Sequence, residues 1–172
     1  MSFLLPTPRP LSTVTNMTTY PVTPAGHQKL RDELQRLKLE RPKISQEIGH
    51  ARDMGDISEN FEYHAAKDRQ GMLEARIRDL EDKLSRAQVI DPKTLSGVRV
   101  VFGATVVIED TDTGERQTYT ILGEEESNVE AGRISVASPM ARALIGKSVG
   151  DEVKIPSRAG PRTVEITDVT FA

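Results

Sequence analysis

The chain has no cysteine and no tryptophan, and only 4% of its residues are aromatic. Without thiols there is no disulfide framework and no thiolate metal site, which fits a reducing cytosol. So few rings leave no large aromatic core. No apolar run approaches the ~20 residues needed to cross a membrane. Phe3, Leu4 and Leu5 are too short a run for a signal-peptide core and have no basic residue before them. His27, His50 and His64 show no ligand spacing as a set. Nor does charge of one sign dominate. The formal net charge is −3, with 13 Lys/Arg against 13 Asp/Glu over residues 24–90, and 9 against 13 from residue 91 onward. A nucleic-acid binder that neutralises phosphates through a basic face is therefore disfavoured, and a protein partner fits better.

What is present divides into three parts. Residues 1–20, with Pro6, Pro8, Pro10 and a Ser/Thr-rich stretch from Ser12 to Thr19, read as a disordered tail, and Met17 is a candidate biological start. Residues 21–91 carry two heptad stripes. The first runs through Leu30, Leu34, Leu37, Arg41, Ile44, Ile48 and Ala51, the second through Ala66, Gln70, Leu73, Ile77, Leu80, Leu84 and Ala87. Two such stripes joined by a short polar turn predict an antiparallel helical hairpin about 45 Å long. Thr23 followed by Pro24 predicts the first helix start, Pro42 a kink, and Gly55 the C′ stop. The second helix is expected to begin around Asp56 to Ser58, to run to about Gln88, and to be closed by Asp91 and Pro92.

From Val98 the period falls to two and β-branched residues take over. One or two strands are expected over Val98 to Ile108, with Gly103 a bulge or bend, and further strands over Gln117 to Leu122, Arg133 to Val136, Glu152 to Ile155 and Arg162 to Val169. Ser138 and Pro139 open a short helix that Gly146 stops. Residues 97–172 thus form a small domain of one helix against an antiparallel sheet, and the fold class is α+β. Glu124, Glu125 and Glu126 read as a solvated loop, and Met140, Leu144 and Ile145 as packing against the sheet.

The turn between the stripes, residues 54–63, is the most informative segment. Asp56 and Glu59 stand three apart at a helix start, on one face. Two readings fit. They can form a capping box, favoured by the helix dipole. They can also be half of a Mg²⁺ site that a partner completes, because Mg²⁺ prefers oxygen donors and takes few carboxylates from any one protein. The second reading allows two-metal phosphodiester chemistry. Asp53 and Glu62 add negative charge nearby, and Arg52 and Lys67 flank the tip as surface cations or phosphate contacts. Tyr63 and His64 read as packing against the opposite helix or as base or phosphate contacts, and Phe61 as a local core residue closing the hairpin end. A rod with carboxylates at its tip suits delivery of charge into a narrow space.

These residues resemble the bacterial Gre transcript-cleavage factors, GreA-like in kind. The matching tip is Gly55 through Lys67, read Gly-Asp-Ile-Ser-Glu-Asn-Phe-Glu-Tyr-His-Ala-Ala-Lys. The resemblance continues through Glu74 to Ile77, Leu84 to Asp91, Val101 to Val106 and Ile134 to Lys147, and covers the chain from about Tyr20 onward. It implies a coiled-coil hairpin followed by an FKBP-like domain, with the hairpin inside the secondary channel of RNA polymerase and the globular domain on its rim. It further implies that Asp56 and Glu59 are the acids that help hold a Mg²⁺ shared with the polymerase active site, none being bound tightly by the factor alone. Backtracked RNA would then be cut near its 3′ end by the polymerase's own nuclease activity. On the same resemblance Arg52 and Lys67 are RNA or channel contacts, and Ser138, Pro139, Met140 and Arg142 form the polymerase-docking surface. The implied factor is a cytoplasmic monomer with no membrane contact and no turnover of its own. Its rivals are a channel-binding inhibitor of the same family, an FKBP-like chaperone or prolyl isomerase, and a plain coiled-coil scaffold. Inhibitory relatives carry an altered tip, the isomerase reading rests on fold analogy alone, and a scaffold needs no acids at its turn.

Overall fold

The structure is a computed structural model that describes residues 18–56 and 59–172. The expected tail as far as residue 17, with the candidate start at Met17, lies outside the described residues. The first element is β1 (Tyr20–Val22), followed by α1 (Pro24–Asp53), α2 (Phe61–Arg86) and β2 (Ala87–Val89). The heptad stripes form the seam. Leu30, Leu37, Ile48 and Ala51 from α1 are buried with Ala66, Leu73, Ile77 and Leu80 from α2, and Leu34, Ile44 and Leu84 pack half-buried beside them. Thr23 caps α1 as expected, its Oγ1 accepting from the Gly26 N–H at 3.1 Å. Pro42 does not interrupt α1, which runs through it as a single element.

Arg41, the polar member of the first stripe, turns outward and makes a two-pronged bond to Glu74, Nε to Oε1 at 2.7 Å and Nη2 to Oε2 at 2.9 Å. Lys38–Glu81 and Arg69–Glu47 bridge the helices in the same antiparallel order, and Arg76 reaches along the shaft to Glu33. Pairs this exposed are screened by solvent and add little to stability. Stability comes from the seam, where each fully buried Leu or Ile contributes about 1.5–3 kcal/mol.

The second helix ends earlier than its periodicity suggests. Residues 87–89 leave the helix to form β2, which runs parallel to β1 in the register Tyr20–Ala87, Pro21–Gln88 and Val22–Val89. This small ribbon ties the entry of the hairpin to its exit.

The C-terminal domain contains β3 (Ala104–Asp110), β4 (Arg116–Leu122), β5 (Arg133–Ser135), α3 (Pro139–Leu144), β6 (Glu152–Ile155) and β7 (Arg162–Phe171). The sheet order is β5-β4-β3-β7-β6. Alternation along β3 buries Ala104, Val106 and Ile108, which meet Val153, Ile155, Val164, Ile166 and the α3 residues Ala141 and Leu144 in one core. The expected helix-on-sheet architecture is present, with one correction. The sheet is mixed, because β4 and β5 run parallel. Residues 123–132 carry two 3-10 turns, over Glu124–Glu126 and Val129–Ala131, and parallel neighbours need a crossover of this kind where a tight hairpin would return the chain antiparallel. Gly103 makes the expected bend, with φ 85° and the Ala104 N–H bonded to the Val101 carbonyl at 3.1 Å, and a separate ladder irregularity falls between Val107 and Ile108 on the β7 side.

The acidic run 124–126 corrects a further expectation: it is a clamp between the two halves of the molecule. The Glu125 carboxylate accepts from Arg76 Nη1 at 3.1 Å and Nη2 at 3.2 Å, and also from Lys83 Nζ. The Arg76 hydrogen bond holds the Glu125 carboxyl at about 2, burial opposing the shift and Lys83 adding to it. Glu33 and then Glu125 raise the Arg76 guanidinium in turn. Next door, Glu126 accepts from both the hydroxyl and the backbone N–H of the cap residue Thr23. Gly26 makes that approach possible, since a Cβ there would lie 2.3 Å from Glu126 Cδ. The Lys83 ammonium also stands 5.9 Å from the centre of the Tyr20 ring.

Candidate functional site at the hairpin tip

At the far end of the rod the chain reverses between Asp53 and Phe61. Met54 closes α1 with a bond from its N–H to the Ala51 carbonyl at 3.3 Å. Gly55 follows with φ 149°, a positive value that favours glycine, as expected of the stop although more extended than a left-handed cap. The start of α2 differs from the capping-box expectation. Its N-cap is Asn60, whose Oδ1 accepts from the Tyr63 N–H at 3.0 Å. The same side chain donates through Nδ2 to the Ala51 carbonyl at the end of α1. One amide therefore caps one helix and ties down the other. Sequence reasoning missed it because Asp56, Ser58 and Asn60 are all good cap residues. The Glu62 position, two residues after Asn60 in the first turn, was the local signal available.

With Asn60 in that role, α2 does not need Asp56 or Glu59 for its cap. Both are exposed, as are Asp53 and Glu62, and the Glu59 N–H reaches the Asp56 carbonyl at 3.4 Å. Ile57 and Ser58, between them, lie outside the described residues. Water and salt screen repulsion among exposed carboxylates, which lowers the cost of grouping these acids at the turn. Among the described residues, no group of three or more His, Cys, Asp or Glu is arranged to hold a metal ion. Two exposed carboxylates offer oxygen donors of the type Mg²⁺ takes, but too few to complete a shell.

The neighbours sort as follows. Arg52 is exposed in the last turn of α1. Lys67, also exposed, is about two turns down α2 from its cap, roughly 10 Å along the shaft, and its Nζ donates to Gln70 Oε1 at 3.0 Å. Tyr63 is half-buried and meets His64 edge-on, with ring centres 5.5 Å apart, so His64 is no packing residue of the opposite helix. Phe61 overturns its expectation outright: it is 87% exposed and closes no core. It lies off the seam stripe, which continues upstream of Ala66 to Tyr63.

The docking candidates lie at the other end of the molecule. The Ser138 hydroxyl caps α3 by accepting from the Ala141 N–H at 3.2 Å, and Pro139 is exposed at the first helical position. Met140 packs partly against the domain core, while Arg142 is exposed. Arg142 lines a surface groove with Lys83, Arg86 and Thr18, next to the hairpin base. The structure thus keeps Asp56, Glu59, Arg52 and Lys67 on the hairpin's far end and groups Ser138 through Arg142 on one turn of the globular domain.

Residues 20–89 match the family model for the N-terminal domain of GreA/GreB transcription elongation factors, and residues 95–171 match the GreA/GreB C-terminal domain. The chain belongs to the GreA/GreB family. Among curated relatives, the transcription elongation factor GreA of Beijerinckia indica subsp. indica is 53% identical over 156 residues, which covers 90% of this chain and 99% of that protein. The GreA of a Psychrobacter species is 54% identical over 157 residues with the same coverage. Among solved structures, the GreA factor homolog Gfh1 of Thermus thermophilus is 31% identical, covers 88% of this chain and 98% of its own, and superposes with a TM-score of 0.42. The GreA/GreB factor of Nitrosomonas europaea is 22% identical, covers 89% of this chain and 100% of its own, and has a TM-score of 0.41. Within this family frame the Asp56 and Glu59 tip lies inside the matched N-terminal domain, and Ser138 through Arg142 inside the matched C-terminal one. No helix among the described residues is long and apolar enough to cross a membrane.

Proposed function

We propose that this chain is a transcription elongation factor that binds RNA polymerase in the cytoplasm as a monomer. Its hairpin enters the secondary channel and stimulates endonucleolytic cleavage of backtracked RNA near the nascent 3′ end. The observation that carries this reading is the exposure of both Asp56 and Glu59 at the end of a long two-helix rod, where Asn60 is the N-cap of α2.

On this reading Asp56 and Glu59 supply carboxylate oxygens to a Mg²⁺ that the polymerase active site holds for the most part, and the factor binds none tightly alone. When bound there, the ion supplies the Lewis acid that activates water and offsets charge on the phosphodiester. The tip residues position. Asn60 fixes the backbone from which Glu59 projects, the seam keeps the rod straight, and the clamp at Glu125 and Glu126 fixes where the rod points. Arg52 and Lys67 offer cations to RNA phosphates or to the channel wall. Ser138, Pro139, Met140 and Arg142 dock on the polymerase rim. The factor activates the polymerase's own nuclease and has no turnover itself.

Adding the chain to a stalled, backtracked polymerase complex should release short 3′ RNA fragments and restore elongation. If elongation is inhibited and no fragment is released, the chain is a channel-binding inhibitor instead. Charge reversal at Arg142 together with Met140→Ala should weaken polymerase binding about tenfold or more, since rim charges and partly buried anchors carry such interfaces. Unaltered affinity in that variant would remove the docking surface.

A further inference from the structure

The tip carries a feature that neither the helix cap nor the acids use. Phe61, the first residue of α2, is 87% exposed, whereas Phe102 is only 8% exposed and Phe171 packs against the core of the C-terminal sheet. Scattered single apolar side chains are ordinary on a surface. This one is an aromatic at the end of a rod, off the seam, next to a residue whose side chain is bonded to both helices. The ring is therefore mounted on a fixed point and contributes nothing to the packing of the hairpin.

We propose that Phe61 is a positioning residue that stacks on an unpaired base of the backtracked RNA, a role that rests on the tip-acid reading given above. Phe61 is two residues from Glu59, so their Cα atoms are at most about 7 Å apart. An acid that reaches the polymerase's metal brings this ring within side-chain reach of the extruded RNA. Charge selects the base over the backbone as the occupant. Asp56, Glu59 and Glu62 surround the ring in sequence, and three carboxylates disfavour phosphate but leave an uncharged base face unaffected. Stacking also tolerates any base, which suits an RNA whose 3′ sequence differs at every arrest site. Met54, the other exposed apolar side chain among the described tip residues at 64% exposure, has no flat face to offer and does not substitute for the ring.

The test uses the full chain at saturating concentration with backtracked complexes that differ only in a purine or pyrimidine 3′ segment. Phe61→Leu keeps apolar bulk without the flat ring, and Phe61→Trp keeps the ring. We expect Phe61→Leu to slow cleavage about tenfold and to erase any purine advantage, and Phe61→Trp to stay within about twofold of the parent, as loss or retention of one base stack implies. Affinity for polymerase without backtracked RNA should not change. Wild-type cleavage by Phe61→Leu would overturn the proposal. So would an equal loss of affinity for polymerase with and without backtracked RNA, which would place the ring in a protein pocket. Asp56→Asn with Glu59→Gln, run alongside, separates the failures. If it abolishes cleavage while Phe61→Leu is silent, only the stack is wrong; if it cleaves normally, the tip-acid reading itself falls.

Discussion

The two ends of the hairpin are built on opposite plans. At the base, Arg76, Lys83, Tyr20 and Thr23 converge on Glu125 and Glu126 from the globular domain, and a parallel ribbon joins β1 to β2. At the tip Asn60 spans the two helices while acids and a phenyl ring stand exposed. The contrast divides the work. Redundant charge-assisted bonds at the base fix the direction of the rod, and the sparse tip keeps its functional groups at the surface.

The largest effect should come from breaking the base. Glu125→Ala removes three charge-assisted contacts and should cost about 2 kcal/mol in thermal or denaturant unfolding, the outward faces of Arg76 and Lys83 moderating the loss. A cost under a few tenths would mean that the clamp is decorative. The same carboxylate predicts a pH response. Its folded value of about 2 lies below the usual carboxylate value of about 4.3, so its contribution is complete above that ordinary value and is lost as pH falls through about 2. Melting between about pH 5 and about pH 2, values that bracket this window, should therefore decline less steeply in Glu125→Gln than in the parent.

The tip should respond more gently in stability and more sharply in activity. Asn60→Ala loses one helix cap and the tie to Ala51, which should lower stability by about 1 kcal/mol while slowing RNA cleavage disproportionately. A proportionate loss would mean that Asn60 does not position the acids. A smaller, opposed pair sharpens the contrast. Gly49→Ala meets nothing within 4 Å and should stabilise the shaft by roughly 0.5–1 kcal/mol. Gly26→Ala must displace Glu126 from Thr23 and should forfeit that gain. Equal melting shifts in the two variants would show that the base approach is loose.

Much of this architecture was legible locally. The seam, the Thr23 and Ser138 caps and the β3, β4, β6 and β7 strands follow from periodicity and cap chemistry within a few residues. What escaped was non-local. Glu125 finds Arg76 across 49 residues, and Tyr20 pairs with Ala87 across the whole hairpin, so no short pattern announces either. The parallel β5 depends on the path of the connection over residues 123–132, whose turns carry no strand signal. At the tip the difficulty was competition, since Asp56, Ser58 and Asn60 offer similar cap chemistry and only the bond to Ala51 favours the last. Phe61 was readable after all: extending the stripe upstream of Ala66 excludes it from the seam.

The decisive measurement is cleavage of backtracked RNA by polymerase saturated with the Asp56→Asn, Glu59→Gln protein, with occupancy of the polymerase measured in the same samples. If the exposed acids carry the activity, occupancy stays at the parent level and the stimulated rate falls at least about 100-fold, as expected when charged groups acting at a reacting centre are removed. Parent-like cleavage at full occupancy would contradict it.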